Sequence, residues 1–149
     1  IVEQCITRKR LLEVGANLIA RTAWKALYLL NDLRKSSGSS IPLAWVQGKV
    51  NETSIIEVYP AGTVAARTGK KKSEIENEIR KGSLLSLEEN VRFESSLDTT
   101  KFCDHEVDAV ICFIAAMHFL NKKCIEPDRN EIEVIRKEGW IWVFDPRNI

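Results

Sequence analysis

The amino-acid sequence predicts a single α/β domain over residues 1–149. Two segments rich in β-branched and aromatic residues, 43–49 and 54–59, are typical of strands. Apolar residues recur at helical spacing across 19–35, and the segment 103–120 is apolar on nearly every side. A helix of that second kind belongs inside a protein, and we expect it to pack on the sheet.

The first third of the chain is predicted to be helical. Residues 5–16 predict a short basic helix that ends near Gly15, and residues 19–35 predict a longer amphipathic one. The apolar stripe of the longer helix consists of Ile19, Ala23, Ala26, Leu27 and Leu30. A segment of serines and one glycine, 36–40, then predicts a flexible loop.

Turn and capping residues place the elements that follow. Pro60 closes the second strand and suits the first turn of a helix over 60–67. In the polar middle of the chain, capping-box spacing marks two more helix starts, Ser73 with Glu76 and Ser86 with Glu89.

The C-terminal segment predicts a β-hairpin. Its strands are 132–136 and 140–144, and a turn at 137–139 joins them. Alternating aromatic residues in the second strand indicate core or interface packing, although stacking on nucleic-acid bases uses the same residue types. These are Trp140, Trp142 and Phe144, and we also assign Trp24 and Trp45 to the core.

Composition limits the classes of function. The 22 basic and 21 acidic residues give a net charge of +1, too even to indicate nucleic-acid or anionic-membrane binding by overall charge. The longest apolar run, 110–120, is about half of a membrane span, so we expect no membrane association. The four cysteines form neither a CxxC pair nor zinc-finger spacing, which favours reduced thiols and a cytoplasmic location.

Three carboxylates form the candidate active site. Glu57 interrupts an apolar strand, where a buried glutamate is costly unless it is paired or ligating. Asp104 and Asp108 open the apolar helix, and their spacing of four residues places them on one face. The alternatives are ordinary: Asp104 as a helix cap, and Glu57 or Asp108 as half of an ion pair.

Taken together, the three carboxylates indicate a metal centre. Oxygen ligands of this kind suit Mg²⁺ or Mn²⁺. Such ions activate water and stabilise the departing oxygen of a phosphodiester. Glu57, Asp104 and Asp108 are therefore the predicted metal ligands and catalytic residues.

Three blocks of sequence carry a resemblance to a known family. They are Glu-Val-Tyr-Pro-Ala at 57–61, Asp-x-x-x-Asp-Ala at 104–109, and Glu-Gly-Trp-Ile-Trp-Val at 138–143. In this order they resemble the C-terminal part of a bacterial and archaeal family of unknown function, described as predicted nucleases of the RNase H fold. The resemblance implies a mixed central sheet flanked by helices, with Glu57 as the strand carboxylate and Asp108 as the helix carboxylate.

The resemblance also has a gap. Nothing before Glu57 resembles the opening strands of the RNase H fold, which carry a further aspartate, so we expect an N-terminally incomplete domain. Two hypotheses follow: a divalent-metal-dependent nuclease or phosphodiesterase that acts on nucleic acid, or a non-catalytic α/β binding or oligomerisation module. An unpaired sheet edge would favour a homo-oligomer in either case.

Overall fold

The described part of a computed structural model of the protein is helical. It comprises residues 18–48, 50 and 52–148, without the side chains of 18–22 and 129. Within it, helices are the regular structure and there is no strand or sheet. The predicted α/β class, with its RNase H-like mixed sheet, is therefore wrong. The helix predicted over 5–16 lies outside the described residues.

Five α-helices make up the described fold. The first four lie in segments that the sequence predicts to be helical, while the fifth lies in a segment predicted to be a strand. The helices are α1 (Leu18–Ser37), α2 (Pro60–Thr68), α3 (Lys72–Arg80), α4 (Asp104–Leu120) and α5 (Ile132–Glu138), and single 3-10 turns lie at Thr99–Lys101, Arg129–Glu131 and Pro146–Asn148. None of the helices in the described ranges combines the length and hydropathy that crossing a bilayer requires.

The capping boxes predicted in the middle of the chain are not where helices begin. α3 begins one residue before Ser73, and the backbone N–H of Lys71 donates to the Glu74 carboxylate at 2.9 Å. The backbone N–H of Ser86 instead donates to Glu78 at 2.8 Å, within a turn. Spacing alone did not distinguish a helix start from a turn, because both use the same side-chain acceptors.

The segments predicted as strands are extended but pair only through isolated bridges. Leu43 bridges Ile55 and Glu57 bridges Ile141, both in parallel, and Cys124 bridges Phe144 in antiparallel fashion. The buried side-chain amide of Gln47 explains why the first segment forms no longer ladder. Its Oε1 accepts from Cys124 N at 2.8 Å and its Nε2 donates to Cys124 O at 2.9 Å, so a side chain replaces the neighbouring strand.

The predicted C-terminal hairpin is also wrong, since its first strand is helix α5. Ile132 is half-buried and Ile135, three residues later, is buried, while Val134 is 61% exposed, so the inner side of this segment follows helical spacing. Gly139, with φ +93°, ends the helix and donates to Ile135 O at 2.8 Å. The β-branched residues of this segment favoured a strand in the sequence prediction, but in the folded chain the segment is a helix that ends at Gly139.

The main core lies where α2, α3 and α4 meet. Its buried residues are Val64, Ile75, Ile79, Leu84, Leu87, Val107, Ile111 and Ile114. Toward its C-terminal end, α4 reaches a second region in which Phe119 packs edge-on against Trp142, with ring centroids 4.9 Å apart. Trp142 and Phe144 are buried as predicted, whereas Trp24 is 63% exposed, so its assignment to the core is wrong.

The core at α4 generates a stability prediction. Ile111→Ala removes a fully buried side chain and should lower the free energy of unfolding by about 2–5 kcal/mol. Val134→Ala, at an exposed position, is the matched control and should change it by less than about 1 kcal/mol. Urea unfolding followed by circular dichroism measures both, and equal effects of the two substitutions would contradict this core.

Candidate functional site

Asp104 and Asp108 lie on one face of α4, as their spacing predicts, and that face meets α3. Arg80 Nη2 is 2.7 Å from Asp104 Oδ1, and Lys72 Nζ is 2.6 Å from Asp108 Oδ1. Both carboxylates of the helix are therefore neutralised by cations from α3.

Glu76 completes this ion-pair network between the two cations. It lies one turn from each of them on α3, 3.0 Å from Lys72 and 3.9 Å from Arg80. Partial burial lowers the pKa of Lys72, but hydrogen bonding and charge from Asp108 and Glu76 outweigh burial and raise it above its ordinary value. The network fixes α3 against α4.

Glu57 lies elsewhere and is exposed to solvent. Its backbone carbonyl accepts from Trp142 N at 3.0 Å, and its carboxylate passes so close to Gly139 that a Cβ there would meet Oε2 at 2.8 Å. The sequence argument that a buried glutamate needs a partner therefore does not apply. Among the side chains that the structure describes, no three from His, Cys, Asp and Glu are grouped to hold a metal ion.

His118 and Glu88 form a buried polar pair that the sequence analysis did not single out. The ring of His118 is fully buried on α4, and its Nε2 is 3.4 Å from Oε2 of Glu88, which is also buried. Neither ring nitrogen makes a hydrogen bond of normal geometry with the described residues. His118 is the one polar residue in the run 110–120, and this isolation was the available signal.

The surroundings of His118 keep its ring neutral. Burial lowers its pKa to about 4, the Glu88 charge opposes that shift, and Arg67 and Lys123 add to it. The ring of Phe144 lies 4.8 Å from the imidazole, and Arg67 stacks over the same phenyl ring at 4.8 Å. A group so enclosed can influence stability, but it offers no face to a substrate.

The second feature missed by the sequence analysis is the exposure of α1. The predicted apolar stripe of this helix has no surface to pack on within the described part of the chain. Large apolar side chains around α1 are between 45% and 63% exposed, and among them only Leu27 belongs to the predicted stripe: Trp24, Leu27, Tyr28, Leu29 and Leu33. The rings of Trp24 and Tyr28 lie 6.0 Å apart on one side of the helix.

The outer face of α4 is also apolar and uncovered. Ala109 is exposed, Phe113 is 57% exposed and Leu120 is 50% exposed, while Ala116 between them is half-buried. From Ala109 to Leu120 the helix carries no polar residue except the buried His118. The sequence predicted that α4 is buried on all sides. This is correct for the faces that meet the core and wrong for the outer face.

A shallow cleft of about 280 Å³ lies beside the first extended segment. It is lined by Trp45, Val46, Glu126, Pro127 and Ile132. Gln47 Nε2 donates to Glu126 Oε1 at 3.2 Å and so holds that carboxylate at the edge of the cleft. The volume is at the lower limit for small-molecule sites, and Val46 in its wall is 76% exposed.

Comparison of the chain with protein-family models, with curated protein sequences and with solved structures found no match. The geometry described above is therefore the basis of the functional argument.

The buried His118 predicts a pH dependence of stability. Because its pKa is about 4 in the folded protein and 6.5 in the unfolded chain, the unfolded chain takes up the proton first as pH falls. The free energy of unfolding should therefore decrease by about 2 kcal/mol between pH 7 and pH 5. Urea unfolding at a series of pH values measures this.

His118→Gln should remove most of the pH dependence in that interval, whereas His105→Gln, at an exposed position, should leave it in place. A wild-type profile that is flat between pH 7 and pH 5 would contradict a neutral, buried imidazole.

Proposed function

We propose that this protein is a helical self-association module, with α1 as its docking element. The observation that carries the proposal is the exposure of the large apolar side chains of α1. Proteins that remain monomeric rarely leave a contiguous apolar patch of more than a few hundred Å² open to water. Burial of such side chains between copies supplies the free energy for association.

The connection between α1 and the core supports a role for α1 as a projecting element. Arg34 donates to the carbonyls of Ser40 and Ile41 at 2.6 and 2.8 Å, and Ile41 is buried. These bonds hold the end of the helix to the turn that follows it. The helix leaves the core at a fixed point, and residues 23–29 extend into solvent.

Helix physics gives a second argument. Most helical stability in proteins comes from packing of an apolar face against a neighbour rather than from the helix alone. α1 has 20 residues and the apolar side chains that such packing requires. A partner surface would therefore stabilise the helix as well as remove its side chains from water.

The proposal predicts concentration-dependent association of the intact chain. Trp24→Asp should shift the protein toward the monomer, because it places a charge where apolar side chains would be buried. Val134→Asp, at an exposed apolar position on α5, is the matched control and should leave association unchanged. Sedimentation velocity over a wide concentration range measures both, and a wild-type chain that stays monomeric throughout would contradict the proposal.

The nuclease hypothesis makes a different prediction. It requires Glu57, Asp104 and Asp108 to bind Mg²⁺ or Mn²⁺ and the protein to act on nucleic acid, whereas Arg80 and Lys72 neutralise two of these carboxylates. Under our proposal, calorimetric titration with Mn²⁺ should give the same result for the wild type and Asp108→Asn. Saturable binding that Asp108→Asn abolishes would support the nuclease and justify cleavage assays on structured DNA and RNA.

A further inference from the structure

Two helix faces that are exposed in the described part of the chain have the same residue spacing. On α1, Trp24, Tyr28, Asn31 and Lys35 follow one another at spacings of four, three and four residues. On the outer face of α4, Ala109, Phe113, Ala116 and Leu120 follow one another at the same spacings. Residues spaced in this way form one stripe along a helix, so the two stripes have the same length and rise.

When the two stripes are aligned antiparallel, the two central pairs each match a large side chain with a smaller one. Trp24 lies opposite Leu120, Tyr28 lies opposite the small Ala116, and the shorter Asn31 lies opposite Phe113. Large side chains opposite small ones allow two helices to interdigitate at close distance.

The charges at the ends of the aligned stripes are complementary as well. Lys35 lies opposite Ala109, one turn from Glu106. Glu106 is exposed, accepts from the backbone N–H of Cys103 at 2.8 Å, and forms no ion pair with the described residues. The antiparallel alignment also places the C-terminal end of α1 beside the N-terminal end of α4, where the helix dipoles attract.

We propose that α1 of one copy docks antiparallel on the outer face of α4 of a second copy, and that the exchange is reciprocal. This inference rests on the proposed self-association and specifies its interface. Arg34 fixes the end of α1 to residues 40 and 41 of its own chain, and in that position α1 leaves the face of α4 uncovered. A two-fold pair in which each α1 covers the other copy's α4 buries both stripes and leaves neither open.

The interface is tested by substitutions on α4, remote from α1. Phe113→Glu should raise the dissociation constant of the dimer about a hundredfold or more, since two charges would be buried per dimer. The side chain is 57% exposed in the chain itself, so the fold should be retained, which far-UV circular dichroism checks. Val134→Glu, at an exposed apolar position on α5, is the matched control.

A charge exchange tests the orientation of the helices. Lys35→Glu should weaken the dimer about tenfold by placing like charges together at both ends of the two-fold pair. Glu106→Lys in the same chain should restore affinity, and Lys25→Glu combined with Glu106→Lys should not. Sedimentation velocity at low ionic strength measures all of these variants.

The outcomes separate this inference from the proposed function. Weakening by Phe113→Glu together with rescue of Lys35→Glu supports the exchanged α1–α4 interface. A dimer that Trp24→Asp disrupts but Phe113→Glu does not would overturn this interface and leave self-association through α1 intact. A chain that is monomeric at every concentration would overturn both.

Discussion

The structure depends on how the chain covers a helix that is apolar on every side. α4 carries two acidic residues in its first turn and then twelve residues, from Ala109 to Leu120, whose one polar member is buried. Its inner faces support the core between α2 and α3 and, farther along, the packing of Phe119 on Trp142. Its outer face is not covered by any element of the described part, and Phe113 and Leu120 are exposed there.

Polar contacts at both ends of α4 fix which faces turn inward. At the N-terminal end, Lys72 and Arg80 of α3 hold Asp108 and Asp104. Toward the C-terminal end, His118 is enclosed beside Glu88, with Phe144 against its ring. Rotation of α4 about its axis would break the ion pairs and expose a desolvated imidazole. The same constraints therefore keep Phe113 and Leu120 on the solvent side, where they are free to meet another molecule.

Local periodicity was enough to predict α1, α2 and α4, because each has a proline, a cap or a long apolar pattern that acts within a few residues. It failed for α5, where β-branched residues favoured a strand, and for the segments 43–49 and 54–59, which are extended but form only isolated bridges. Whether an extended segment acquires a ladder is decided by what lies beside it. In this fold the side chain of Gln47 bonds to the backbone of Cys124, where a paired strand would otherwise lie.

In the candidate site, too, local spacing was predicted correctly and the contacts between elements were not. The spacing of Asp104 and Asp108 correctly placed them on one face of a helix, but it could not reveal that α3 supplies cations to both. Glu57 was selected on an assumption of burial that depended on a sheet, and without the sheet it is a solvent-exposed carboxylate. The exposure of α1 was equally hidden, because an amphipathic pattern predicts that one face is covered without identifying the covering surface.

Hydrogen–deuterium exchange of the α1 backbone is the most direct test of the claim that a second copy covers α1. An uncovered helix of this length opens frequently and exchanges quickly, whereas a docked helix is protected to an extent that follows the dimer population. The account predicts that protection of residues 23–35 rises with protein concentration and falls in Phe113→Glu. Fast exchange of these residues at every concentration, while the core around Ile111 remains protected, would contradict it.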